Sequence, residues 1–244
     1  MKTVFIISYR GTRYCGWQVQ KNSISVQKVL QNAIEKVLGE EVSLSGCGRT
    51  DAGVHANEFY CHLDREITNI DHERLPLAIN TVLPDDICVL KALKKDDDFH
   101  SRYVTKGKEY KYLIWNSSFK NVFMEDTALK YPRLIDTEQL NELAKPLIGK
   151  HDFSSFMSKG SKIKDRTRDV WYFKAEREGD LVSFKIAADG FLYNMVRIIG
   201  GTLLEIASGK IKTPLEEIIY AKNRGAAGYT LAPHGLYLNK VFYD

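Results

Sequence analysis

Apolar and polar positions change period several times along this chain, and each change marks an element. Residues 3–9 alternate as a strand does. Val26, Val29, Leu30, Ala33, Ile34, Val37 and Leu38 then recur in steps of three and four and stop at Gly39. That spacing predicts an amphipathic helix with a glycine end. Residues 42–47 and 54–63 read as strands, the second setting Phe59, Cys61 and Leu63 on one face. Leu75, Ala78, Ile79, Val82 and Leu83 predict a second helix with Pro76 in its first turn, and 86–94 a further strand. Asp96-Asp97-Asp98 breaks the pattern and reads as a solvated turn.

The order then repeats. Residues 108–115 alternate Tyr110, Tyr112 and Ile114 against Leu113 and Trp115. A helix over 136–148 opens on the capping pair Asp136 and Gln139, and Pro146 should bend its last turn. Strands at 168–176 and 181–188 follow, then a helix over roughly 191–207 and a short one begun by Thr213-Pro214-Leu215-Glu216. A strand at 236–243 closes the chain. Each half reads β-α-β-β-α-β, so the predicted class is α+β with two ferredoxin-like halves, 1–104 and 105–244. Their antiparallel sheets are expected to join into one platform with a central active-site cleft, helices covering one face and leaving the other free.

Composition narrows the class without naming a function. A chain of 244 residues, 44% hydrophobic and 27% charged, can bury a core and is not disordered. No apolar stretch reaches the roughly 18 to 20 residues of a membrane helix, and Met1–Ile7 reads as a first strand, not a signal peptide. Cys15, Cys47, Cys61 and Cys88 are too few for a disulfide framework, and without a C-x-x-C pair they argue against zinc. A reduced, cytoplasmic protein without a metal site is expected. The net charge of +4 is unevenly spread: 100–120 carries five Lys/Arg against Glu109, and 158–174 carries six against Asp165 and Asp169. Basic segments bearing aromatics suit a polyanion, although two solvated basic strands would look the same.

The densest candidate chemistry is Gly46-Cys47-Gly48-Arg49-Thr50-Asp51-Ala52-Gly53-Val54-His55-Ala56, between two predicted strands. One reading is a hairpin turn in which Asp51 bonds nearby amides. The other is a rigidly held carboxylate kept ionised by Arg49, as a nucleophile or base requires. No phosphate-loop or dinucleotide fingerprint is present.

Gly48 through Ala56 resembles the signature of the tRNA pseudouridine synthase A (TruA) family. Tyr9-Arg10-Gly11-Thr12-Arg13-Tyr14-Cys15-Gly16-Trp17-Gln18-Val19-Gln20 is similar to its N-terminal motif, with Arg10 where aspartate is usual. Ser25-Val26-Gln27, Phe99–Arg102, Lys108–Tyr112, His151–Phe156, Phe191–Arg197 and Ala232–Leu238 follow in the family's order. Asn57-Glu58-Phe59 and Pro146 depart from its pattern.

The resemblance implies an enzyme without a cofactor that turns uridines of the tRNA anticodon stem-loop, positions 38, 39 and 40, into pseudouridine. It implies a homodimer, with Asp51 as catalytic aspartate and Arg49 helping to hold a flipped nucleotide. Tyr110 would stack on the uracil, Arg197 would orient Asp51, and Leu236 would wall the base. Phe191, Met195 and Val196 would support the pocket from the helix carrying Arg197. Lys159, Lys162, Lys164, Arg166 and Arg168 are candidate RNA contacts. Two rivals stand beside this: a non-catalytic RNA-binding module, and a hydrolase of small glycosides, which would need a second acid not evident here.

Overall fold

The computed structural model describes residues 1–160 and 163–243. Its contacts divide the chain into two units, Met1–Lys106 with the segment from Tyr237 onward, and Gly107–Leu236. The first contains β1 (Lys2–Tyr9), α1 (Val26–Leu38), β2 (Ser45–Gly46), β3 (His55–Leu63), α2 (Leu75–Asn80) and β4 (Ile87–Lys95). The second contains β5 (Gly107–Trp115), β6 (Leu129–Lys130), α3 (Thr137–Ala144), β7 (Gly149–Asp152), β8 (Thr167–Glu178), β9 (Leu181–Ala188), α4 (Met195–Ala207) and α5 (Leu215–Ala221). The last strand, β10 (Leu236–Phe242), returns to the first unit.

In the first unit the strands lie in the order β4-β1-β3-β10. β1 pairs antiparallel with β3 and β4, whereas β10 lies parallel to β3, setting Tyr237 opposite His55 and Leu238 opposite Ala56. A parallel pair needs a long crossover, and here the whole second unit supplies it. α1 starts where Ser25 Oγ accepts the Lys28 N–H and stops at Gly39, whose φ of 75° suits glycine. Its stripe Val26, Leu30, Ala33 and Ile34 is buried, and Leu30 and Ile34 contribute about 2 kcal/mol each by leaving water.

The register sets Phe5 opposite Cys61 and Ile7 opposite Phe59 on one face. Trp17 lies against Phe59 there at 4.2 Å, and its carbonyl accepts the Gln27 N–H of α1. The other face carries Val4, Ile6, Tyr60 and His62, and it is not free as expected. His62 meets His100 at 4.7 Å, Tyr60 meets Tyr243 at 4.7 Å, and the Tyr243 hydroxyl donates to the Ser101 carbonyl at 2.6 Å. The sequence between the halves folds back as a cover because its aromatics need a partner as apolar as themselves.

That cover makes acid stability sensitive to His62. The imidazole is fully buried, its Nδ1 2.7 Å from Ser101 Oγ and its Nε2 3.3 Å from Asp64 Oδ1. Burial lowers its pKa; Asp64 pulls the other way, and His100 and Lys2 add to the lowering. A histidine held neutral when folded takes up its proton more readily when unfolded. Its stability contribution is therefore complete above about pH 6.5 and is lost as pH falls below that. His62→Gln should flatten the fall in unfolding free energy between pH 7.5 and 5.5, read by urea titration; a parent curve already flat there would contradict the buried neutral ring.

In the second unit the order is β5-β9-β8-β7, with β6 parallel to β5. The register sets Tyr112 opposite Phe184 and Tyr110 opposite Ile186. α4 buries most of its circumference, and Gly200 lies where a Cβ would stand 2.7 Å from the Phe184 ring. α3 is capped by Asp136, whose carboxylate accepts the Glu138 and Gln139 N–H groups. Pro146 ends the α-helical path in a 3-10 turn over Lys145–Leu147. α4 begins at Met195, four residues later than expected, because Asn194 takes a left-handed φ of 62°. α5 is preceded by Pro214 with no side-chain cap, so Thr213 does not serve as one. Among the described residues no helix is long and apolar enough to cross a membrane.

Candidate active site

Asp51 sits half-buried in the loop between β2 and β3. Its carbonyl accepts the Val54 N–H at 3.2 Å. On one side the Thr50 hydroxyl lies 2.8 Å from the buried Tyr9 hydroxyl, and the Thr50 carbonyl accepts the Trp17 N–H at 3.4 Å. On the other the Gly53 N–H donates to the Tyr14 carbonyl at 3.2 Å, with φ at 78°. The carboxylate therefore stands on a backbone fixed at both flanks by residues 14–17, the second of the conspicuous motifs. Rigid placement of this kind is what a nucleophile or base needs.

Glycine makes the approach of the two motifs close. A Cβ on Gly11 would lie 1.9 Å from the Val54 carbonyl oxygen, and one on Gly16 would lie 2.2 Å from that of Thr50. The Gly11 N–H donates to Nδ1 of the buried His55 at 2.9 Å, and His55 stacks on Tyr237 at 4.6 Å. The donated hydrogen fixes the neutral tautomer, leaving the His55 proton on Nε2. Tyr14 in turn donates to Asp86 Oδ1 at 2.5 Å; burial first, and then Asp86, push its hydroxyl up to about 12. Arg49, two residues from Asp51, is exposed, and no hydrogen bond or ion pair engages its guanidinium among the described residues.

The other sequence-derived candidates lie in the second unit. Tyr110 on β5 is half-buried, its ring edge-on to Phe191 at 5.0 Å. Phe191 precedes α4 instead of riding on it, whereas Met195 and Val196 are buried in its first turn. Arg197, one residue further, donates from Nε to the Leu231 carbonyl at 2.7 Å and from Nη1 to Asn194 Oδ1 at 2.6 Å. The Leu231 N–H returns to the Arg197 carbonyl at 3.2 Å. Tyr112 donates to the Ala232 carbonyl at 2.7 Å, and Gly235 lies against its ring. Arg197 and Tyr112 thus hold both ends of the segment that presents the buried Leu236. Burial holds the Tyr112 hydroxyl far above its usual range and lowers the His234 pKa, so both stay neutral at ordinary pH.

Of the basic candidates, Lys159, Lys164 and Arg166 are exposed, and Lys162 lies outside the described residues. Arg168 differs: its Nη1 donates to the Asp165 and Thr167 carbonyls and so braces its own turn. Sequence reasoning missed Asp86, since its Pro84-Asp85-Asp86 surroundings match no spacing for chemistry; only the fold brings it to the residue 10–14 loop. Among the described residues no cluster of three His, Cys, Asp or Glu could hold a metal ion, and the four cysteines are free.

Comparison with known proteins gives the family of the chain. A curated tRNA pseudouridine synthase A of Thermoanaerobacter sp. strain X514 is 46% identical over 98% of both chains. One of Bacillus pumilus is 41% identical over the full length of both. Among solved structures, the archaeal box H/ACA sRNP Nop10-Cbf5 complex aligns with 14% identity and a TM-score of 0.40, over 84% of this chain and 43% of that one, too shallow a likeness to argue from. The model of the tRNA pseudouridine synthase family matches residues 5–104 and 143–244. On these matches the chain belongs to the tRNA pseudouridine synthase family, the isomerases that make pseudouridine in tRNA.

Proposed function

We propose that this protein isomerises uridines 38, 39 and 40 of the tRNA anticodon stem-loop, working in the cytoplasm as a homodimer. The observation that carries the reading is Asp51, fixed at both flanks by the Tyr9–Trp17 loop and accompanied by an unengaged arginine two residues away.

The chemistry asks little else. The N1–C1′ bond of uridine breaks, the uracil turns, C5 joins C1′, and the proton leaving C5 is balanced by one taken up at N1. No electron or group is gained or lost, so the protein's own side chains suffice. The base must first leave its stack, at a few kcal/mol, offset by stacking and phosphate contacts. The Asp51 carboxylate can attack C1′, attack C6, or take the C2′ proton to give a glycal; each route uses the same ionised group. Arg49 holds the everted nucleotide, and Tyr110, its ring supported by Phe191, offers the uracil a stacking surface. Leu236 and the segment held by Arg197 keep out water, which would otherwise capture the detached sugar. Lys159, Lys162, Lys164 and Arg166 would meet RNA phosphates, with Arg168 bracing their segment.

The test is to incubate the protein with unmodified tRNA transcripts and map pseudouridine by nucleotide. Product confined to 38–40 is expected. Product elsewhere in the tRNA would refute the positional reading, and hydrolysis of free uridine would favour a glycosidase.

A further inference from the structure

One buried acid gathers the loop beside Asp51 and leaves an arginine facing outward. The Asp86 carboxylate lies at the end of the turn before β4, with only 3% of its side chain exposed. Oδ1 accepts the Tyr14 hydroxyl at 2.5 Å and Oδ2 accepts Arg13 Nε at 2.8 Å. Its backbone carbonyl accepts the Arg10 N–H at 2.9 Å. One residue thus fastens positions 10, 13 and 14, and position 14 in turn accepts the Gly53 N–H two residues past Asp51.

Arg13 is placed unlike a structural ion pair. Its side chain is 67% exposed; the guanidinium is held along one edge, through Nε by Asp86 and with the Tyr14 hydroxyl alongside. A guanidinium anchored at Nε has a fixed plane, so its two outer NH2 groups point in a set direction and match two oxygens of one phosphate. The entropy of aiming a long side chain is met on folding, before any ligand arrives. Arg10 and Arg49, on the same two adjoining loops, are also exposed and unengaged among the described residues.

We infer that Arg13, aimed by Asp86, clasps a backbone phosphodiester of the tRNA strand and so positions the nucleotide beside Asp51. This rests on the reading of Asp51 as the group acting on tRNA. Asp86 is a positioning residue; Arg13 is the contact.

Filter binding of tRNA to Asp51→Asn protein measures the contact without turnover. Adding Arg13→Ala should raise the dissociation constant about tenfold and reduce the slope of log affinity against log salt by about one. In the active enzyme the same change should raise KM by a similar factor, with a smaller fall in kcat as the nucleotide sits less well beside Asp51. Arg13→Lys keeps a cation on Asp86, and with it the fold, but lacks the planar fork. It should hold the salt slope and still lose about threefold in affinity. Asp86→Asn should also weaken binding, and should add little to Arg13→Ala, as members of one unit do. Arg13→Ala and Arg13→Lys proteins that melt like the parent yet match its affinity and salt slope would overturn the inference; if alanine lowers the melting point, lysine decides. A parent that makes no pseudouridine in tRNA sinks the functional reading and this inference with it. A parent that turns tRNA over, with both Arg13 variants equal to it, sinks this inference alone.

Discussion

Asp51→Asn should slow pseudouridine formation on a tRNA transcript by about ten-thousandfold or more, while tRNA affinity changes by less than about threefold. The amide has the shape of the carboxylate but can neither attack carbon nor take a proton. The loop should tolerate it, because the bonds that fix it run through neighbouring groups: Thr50 Oγ1 to Tyr9, Thr50 O to Trp17, Gly53 N–H to Tyr14. An unchanged melting temperature would confirm that tolerance. Single-turnover rates with enzyme in excess are the right readout, since they separate chemistry from binding and release. A rate within tenfold of the parent would remove Asp51 from the chemistry, whatever else the fold supports.

How much of this was legible in the chain depends on the range of the interaction involved. Helix α1 could be read because its stripe and its Gly39 stop lie within 14 residues of one another, and the Ser25 cap found in the structure sits just before them. The same holds for the Asp136 cap of α3 and for the break at Pro146. The two-residue strand β6 and four-residue β7 escaped, for neither is long enough to show alternation. β2 shrank from the expected 42–47 to Ser45–Gly46. The start of α4 was misplaced because the left-handed Asn194 interrupts a run whose apolar content does not change. The parallel seat of β10 on β3 joins residues 182 apart, and no local pattern announces that.

The candidate residues show the same division. The Arg49–Asp51 string stood out because glycine, arginine and carboxylate crowd into a few positions. Tyr110, Arg197 and Leu236, read alone, are indistinguishable from packing residues, and only resemblance to a family singled them out. What escaped both approaches was the support: Asp86 behind Arg13 and Tyr14, His55 beneath Gly11, and Tyr112 behind the Ala232 carbonyl. Each is a contact across dozens of residues, which no local pattern of residue types announces.

Gly16→Ala should damage both stability and activity, because it strikes where the two loops touch. Gly16 has a φ of 99°, a conformation that side chains resist, at about 1 to 3 kcal/mol. The added Cβ would also fall 2.2 Å from the Thr50 carbonyl oxygen and 3.1 Å from the Asp51 carbonyl carbon, both backbone atoms unable to swing aside as a side chain would. Overpacking of this kind costs a further 1 to 3 kcal/mol or so. A loss of about 3 kcal/mol overall corresponds to a fall of roughly 10 °C in Tm for a chain of this size. Relief of the clash must move Thr50 and Asp51 away from Trp17, and a displacement near 1 Å at a reacting group costs about a hundredfold in rate. Gly39→Ala is the control: its φ of 75° is also unfavourable, but a Cβ there would meet nothing within 4 Å, the Asp51 loop included. It should lower Tm modestly and leave kcat alone. Should Gly16→Ala behave like Gly39→Ala, losing stability but keeping its rate, the loop from Tyr9 to Trp17 would not be what holds the carboxylate in place.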